Sequence, residues 1–129
     1  MKFLSVCKDG GPDSPVTGLF LVEIKSLFSI VLLRFGGTRE AYHSHAFNAV
    51  TLWLKGTVTE LVMVTDENSV ESHLWTAGQL KYTPRGLLHK ILPGPGAWAL
   101  SFRGPWADTW TEYVKGRIVR LTHGRKVVE

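Results

Sequence analysis

The chain has 129 residues, with 15 Lys and Arg against 11 Asp and Glu and a formal net charge of +4. That length suits one compact domain with a hydrophobic core, and so mild a charge reads as a solubilising surface that tolerates an anionic ligand rather than as a nucleic-acid-binding face. A single cysteine, Cys7, excludes an internal disulfide and fits a reducing cytoplasm better than a secreted, cross-linked scaffold.

Residues 1–16 read as an N-terminal segment closed by the loop "KDGGPDSP" (Lys8–Pro15). Its apolar stretch is too short for a signal peptide. Leu19–Ile24 and Leu27–Phe35 read as strands rich in Val, Ile, Leu and Phe. Glu23, Lys25 and Arg34 interrupt that greasy run, and a membrane span tolerates such charges poorly. Gly36–Thr38 is a turn. Phe47–Leu54 and Val58–Thr65 form two more strands joined at "KGT", and Asp66–Ser69 is a turn. Short strands follow, broken at Ala77-Gly78 and at Pro84-Arg85-Gly86, with a tight turn at Pro93–Gly96. "AWALSFRG" alternates, with Trp98, Leu100 and Phe102 on one face and Ala99, Ser101 and Arg103 on the other, the pattern of a half-buried strand. "KGRIVRL" offers a last strand. No long helix, internal repeat or second domain is visible. Many short strands with Gly/Pro turns predict an all-β sandwich or barrel over residues 17–121, with 122–129 as a tail. A small barrel interior can hold one small ligand.

The chemistry concentrates in "EAYHSHAFNAVTLWLKG" (Glu40–Gly56). In a strand, residues two apart share a face, so His43 and His45 project side by side. Two imidazoles so placed can chelate a divalent ion; an HxH pair is also often incidental. His89, after the turn in "TPRGLLH", is the candidate for a third ligand. No P-loop, no GxGxxG after a strand and no Ser/His/Asp arrangement is present, which argues against nucleotide hydrolysis and covalent acyl chemistry.

The spacing Gly37-x5-His43-x-His45 with Gly56, followed by Gly78-x5-Pro84-Arg85-Gly86-x2-His89, resembles the two motifs of the cupin superfamily. The resemblance implies a double-stranded β-helix, a jelly-roll-like barrel, whose pocket His43, His45 and His89 line as ligands of a divalent metal. Fe(II) is the ion it favours, with Zn, Ni or Mn as alternatives. Two positions depart from the pattern. Ala49 stands where the first motif carries a Glu ligand, and Pro93 stands where the second ends in Asn. Three neutral histidines would leave the full dipositive charge on the metal and keep open positions for oxygen, water or an anionic substrate. Such centres are similar to those of thiol dioxygenases and some diketone-cleaving dioxygenases. "TPR…LHK…WAL.FRGPW…TW.EY…LTHGRK" is also similar to small cupins met in phage and prophage genomes, which carry no agreed activity.

The expectation is therefore a metal-dependent, dioxygenase-like oxidoreductase acting on a small polar molecule. The alternative is a non-catalytic protein that binds or sequesters an anionic small molecule such as a nucleotide signal. Arg39, Arg85 and Arg103 are the candidates for holding an anionic group. Trp53 shares the parity of the histidines and could wall the pocket, and Thr51 and Tyr82 are candidates for polar support around the ligand. Arg34, Lys81 and Lys90 read as exposed strand charges. Small cupins commonly dimerise, and the apolar strands between Leu19 and Phe35 would suit that role. The expected setting is the cytoplasm, that of the host cell if the chain is phage-encoded, with no membrane and no nucleic-acid partner.

Overall fold

In the computed structural model the described residues are 1–9, 14–37, 42–64, 69–114 and 117–122. They form twelve strands: β1 (Lys2–Lys8), β2 (Val16–Ile24), β3 (Phe28–Phe35), β4 (Tyr42–His43), β5 (Ala49–Lys55), β6 (Thr57–Met63), β7 (Val70–Thr76), β8 (Leu80–Thr83), β9 (His89–Pro93), β10 (Trp98–Arg103), β11 (Thr109–Val114) and β12 (Arg117–Thr122). Among the described residues there is no helix long and apolar enough to cross a membrane.

The strands make two six-stranded sheets, in the orders β1-β2-β3-β10-β5-β8 and β12-β11-β4-β9-β6-β7. The registered pairs are antiparallel, and neighbours such as β3 and β10 come from distant parts of the chain. This is the all-β architecture expected from the strand pattern, in the jelly-roll form that the motif resemblance implied. Three apolar clusters fill the interior. Trp53, Val58, Ala97 and Ala99 form one; Phe20, Val31 and Leu33 a second; Ala46, Phe47 and Ala49 a third, with Trp106 and Trp110 packed against it.

Two strands lie where the sequence showed none. β1 lies in the N-terminal segment ahead of the Lys8–Pro15 loop, in register with β2 from Lys2↔Glu23 to Lys8↔Thr17. Its composition carries no alternation; pairing with the free edge of β2 makes it a strand. β11 pairs with both β12 and β4, and its Thr, Trp, Tyr and Val are strand formers that went unweighed.

The alternation in β10 has a sense that its composition hides. Ala99, Ser101 and Arg103 are buried, whereas Phe102 is 43% exposed. The apolar side faces out and the small and polar side faces in. β8 follows the same rule, with Leu80 and Tyr82 outward and Lys81 and Thr83 buried. The first sheet thus turns hydroxyls and cations toward the interior, which is what makes a site possible there.

The turn between β5 and β6 depends on Gly56. Its φ is +81°, a conformation that side chains strain to adopt, and a Cβ there would lie 3.0 Å from the Ala97 Cα. Glycine at this position therefore lets the hairpin fold against the β9–β10 connection without backbone strain or a shift of Ala97.

Candidate metal centre

β4 is two residues long, yet it places the first ligand. It pairs with β9 through the single registered pair His43↔His89, so these two imidazoles face inward side by side from adjacent strands. Beyond β4 the chain is pinned at Ser44, whose N–H donates to the Thr111 carbonyl at 2.8 Å and whose hydroxyl accepts from the Thr111 N–H at 2.9 Å. That anchor directs His45 into the same space. Asn48 then joins the two sequence motifs: its side-chain oxygen accepts from the Arg85 N–H at 2.7 Å, and its carbonyl accepts from the Gly104 N–H at 2.9 Å.

The three imidazoles converge. Ring centroids are 5.2 Å apart for His43–His45, 4.9 Å for His43–His89 and 5.0 Å for His45–His89. One nitrogen from each lies within 4.8 Å of the other two, and the Nε2 atoms of His45 and His89 are 3.5 Å apart. A dication held at about 2.0–2.1 Å by imidazole nitrogens sets its ligand atoms roughly 3–3.5 Å apart; the His45–His89 pair has that spacing, and the whole set, within 4.8 Å, must draw together to hold such an ion. Burial, reinforced by the neighbouring His89, His43, Arg103 and Lys81 charges, drives the His45 pKa well below its ordinary value. His45 is therefore neutral at pH 7, the form that ligates.

Behind His89 lies a buried ionic group. The Glu60 carboxylate takes the His89 Nδ1 at 2.6 Å, contacts the Lys81 ammonium and accepts from the Trp75 indole N–H at 3.2 Å. Burial favours the neutral acid, but the His89 hydrogen bond and the Lys81 charge outweigh it and hold the Glu60 pKa at about 2. Burial lowers the Lys81 pKa, and the attraction of Glu60 opposes that change. With Glu60 on Nδ1, the proton of neutral His89 resides there and Nε2 turns its lone pair into the cavity, an arrangement typical of metal-bound histidine.

The cavity has a volume of about 130 Å³ and is lined from both sheets. Thr51 and Trp53 line it, as does Ala49, at the position where a carboxylate ligand was missing in sequence. Phe47 stacks on His45 with centroids 5.1 Å apart and packs against Trp106 at 5.2 Å. Arg103 also lines it, 4% exposed, but its guanidinium is engaged. It donates to both Asp9 carboxylate oxygens, at 3.1 and 2.7 Å, and to the Ser101 hydroxyl at 3.1 Å.

The other candidates fall elsewhere. Tyr82 is 62% exposed on the outer face of β8; it lies in the same strand as Lys81 but with opposite parity. Arg85 is exposed and meets the site through its backbone N–H alone. Arg39 lies outside the described residues. Two functional side chains escaped the sequence reading. Lys81, which the sequence presents as an exposed strand charge, is 5% exposed, and Glu60, which no motif marks, is 2% exposed. The available signal was parity: Glu60 shares a face with buried Val58.

No family model and no curated protein sequence matches the chain. Solved structures do. Hydroxypropylphosphonic acid epoxidase from S. wedmorenis is 15% identical with a TM-score of 0.62, over 77% of this chain and 54% of that one; Fe(II) HppE with substrate matches with the same TM-score of 0.62. An RmlC-like cupin from Shewanella frigidimarina is 16% identical with a TM-score of 0.58, over 79% and 84%. A Bacillus subtilis oxalate decarboxylase is 20% identical with a TM-score of 0.57, over 73% and 26%. The chain spans about half the length of the epoxidase it matches. At these identities the likeness is one of fold, and the fold is that of the cupins.

Proposed function

We propose that the chain is a metal-dependent cupin whose centre is held by His43, His45 and His89, and that it works as a dioxygenase-like oxidoreductase on a small molecule. The observation that carries this reading is the convergence of three histidine nitrogens within 4.8 Å, inside a cavity lined from both sheets. Fe(II) is the ion we favour, because HppE, which shares the fold, is described in its Fe(II) form; Zn, Ni and Mn remain compatible with imidazole donors. When bound, Fe(II) would supply electron transfer and open coordination positions, whereas Zn(II), with no redox chemistry, would supply the positions alone.

The chain's own residues do the rest. Glu60 fixes the His89 tautomer and orientation. Phe47 and Trp53 exclude water, and the Thr51 hydroxyl is available to orient a polar ligand group. A volume of about 130 Å³ supports a ligand near the size of benzene, which enters a dry apolar cavity of about 150 Å³. Sequestration of a nucleotide signal has less support, since ligands that large call for pockets of roughly 300 Å³ or more.

With this reading go a cytoplasmic setting and the phage or prophage origin that the tail motif suggests. A homodimer also belongs to it, supported by Phe3, Leu4 and Val6, which edge strand β1 leaves exposed. The test is metal content in untagged protein: wild type is expected to carry close to one equivalent of ion and His43→Ala far less. Equal, negligible content in both would end the metal reading.

A further inference from the structure

The charged groups around the cavity are matched one to one. Among the described residues its lining holds three charged side chains, Asp9, Lys81 and Arg103. Arg103 is gripped by both oxygens of Asp9, and its Nε–H is taken by Ser101. Lys81 is held by Glu60, the two side chains 5% and 3% exposed. Two cations face two carboxylates, and the three histidines add no charge when they ligate. An anion entering the metal-free cavity would have to displace a carboxylate from its cation: at Lys81 that strands Glu60, 3% exposed, in a low-dielectric interior, and at Arg103 it must break the two-oxygen grip of the partly exposed Asp9. A bound dication changes the balance. With Ala49 in place of a carboxylate ligand, no side chain among the described ligands offsets its charge.

Resting on the metal-centre reading, we infer that the ligand is a small organic oxyacid, with an apolar body about the size of a benzene ring, whose anionic oxygens bind the metal itself while Arg103 and Lys81 stay with Asp9 and Glu60. The body then lies against the apolar side of the cavity, formed by Leu33, Phe35, Phe47, Trp53 and Ile91. This assigns Arg103 a structural part: it fastens the end of β1 to β10 and is not the anion anchor that its position suggests.

Benzoate and its neutral isostere benzamide are suitable probes, with Co(II) as a spectroscopically visible ion. Benzoate is expected to bind Co(II)-loaded wild type and to shift the Co(II) visible spectrum. Binding should weaken about tenfold or more for benzamide and for the metal-free protein. The double variant Asp9→Asn/Arg103→Gln, which removes both charges of the pair together, should bind benzoate within about threefold of wild type when loaded. The single variant Asp9→Asn should gain benzoate binding without metal, because it releases the Arg103 guanidinium. Equal affinity for benzoate and benzamide, benzoate binding that leaves the Co(II) spectrum unchanged, equal binding with and without metal, or loss of binding in the folded double variant would each overturn the inference. These outcomes are separate from failure of the metal reading, which shows as absence of Co(II) uptake. If the double variant does not fold, the loaded and metal-free wild-type titrations decide the question alone.

Discussion

The Glu60 carboxylate lies 2.6 Å from His89 Nδ1, on the side of the ring that faces away from His43 and His45. This contact sets which nitrogen of His89 is offered to a metal, and it links the centre to a cation through Lys81. Glu60→Gln should therefore lower metal affinity by about 10- to 100-fold, read by competition with a coloured chelator. It should also destabilise the fold by about 3–5 kcal/mol, since it leaves the Lys81 ammonium buried without its carboxylate.

Those two effects are separable. In the double variant Glu60→Gln/Lys81→Met the orphaned charge is gone, so most of the stability should return. The metal affinity should not, because nothing restores the carboxylate on His89. Urea unfolding of the chelated proteins and chelator competition on the loaded ones measure the two quantities independently. Recovery of both together would show that the affinity loss was only a consequence of instability.

Metal binding should also be visible as stability. An ion at 100 times its Kd stabilises by about 2.7 kcal/mol, and a domain of this size gains roughly 4 °C per kcal/mol. Chelation should thus lower the Tm of loaded wild type by about 10 °C. His43→Ala should show no response to chelator, with its Tm near that of chelated wild type.

The histidines were legible because their placement is local. The HxH parity puts two on one face, and the glycine spacings mark the turns that return His89 to them. Of these glycines Gly56, Gly78 and Gly86 do adopt positive φ. Gly37 does not, and among the described residues a Cβ there would meet only Pro15, at 3.4 Å. What was not legible is set by non-local pairing. Alternation in β8 and β10 separates two faces but does not say which one is inside, and here the apolar face is outside. Glu60 and Lys81 look like solvent charges until β6 and β8, from different sheets, bring them together across the interior. The bidentate grip of Asp9 on Arg103 spans 94 positions of sequence, and only the pairing of β1 with β2 and of β3 with β10 brings them together.

Two of those glycines make a graded test of backbone against packing. Gly78→Ala places a Cβ in open space at φ +93°, so the cost is conformational, about 1–2 kcal/mol. Gly56→Ala carries the same strain plus a Cβ 3.0 Å from the Ala97 Cα, a backbone atom that cannot swing aside, and should cost about 1–3 kcal/mol more. Urea denaturation gives both values. An equal loss for the two variants would mean that the β9–β10 connection relaxes around the added methyl.

Acid should destabilise the chelated protein in two stages. His45 has a depressed pKa in the fold, so the unfolded chain binds the extra proton. Stability therefore falls as the pH drops below the ordinary histidine value of 6.5. Glu60 is depressed from 4.5 to about 2, again with more protons on the unfolded chain between those values. Its contribution is fully present above about pH 4.5 and is lost as the pH falls to about 2, an amount of about 3 kcal/mol. Urea midpoints at a series of pH values from 8 to 3 should show a shallow decline below 6.5 and a steeper one below 4.5. The steeper limb should diminish in Glu60→Gln/Lys81→Met, which has no carboxylate to protonate there. Bound metal should steepen the first limb, because His45 must lose its ion before it can take up a proton. A first limb unchanged by metal would place the ion away from His45.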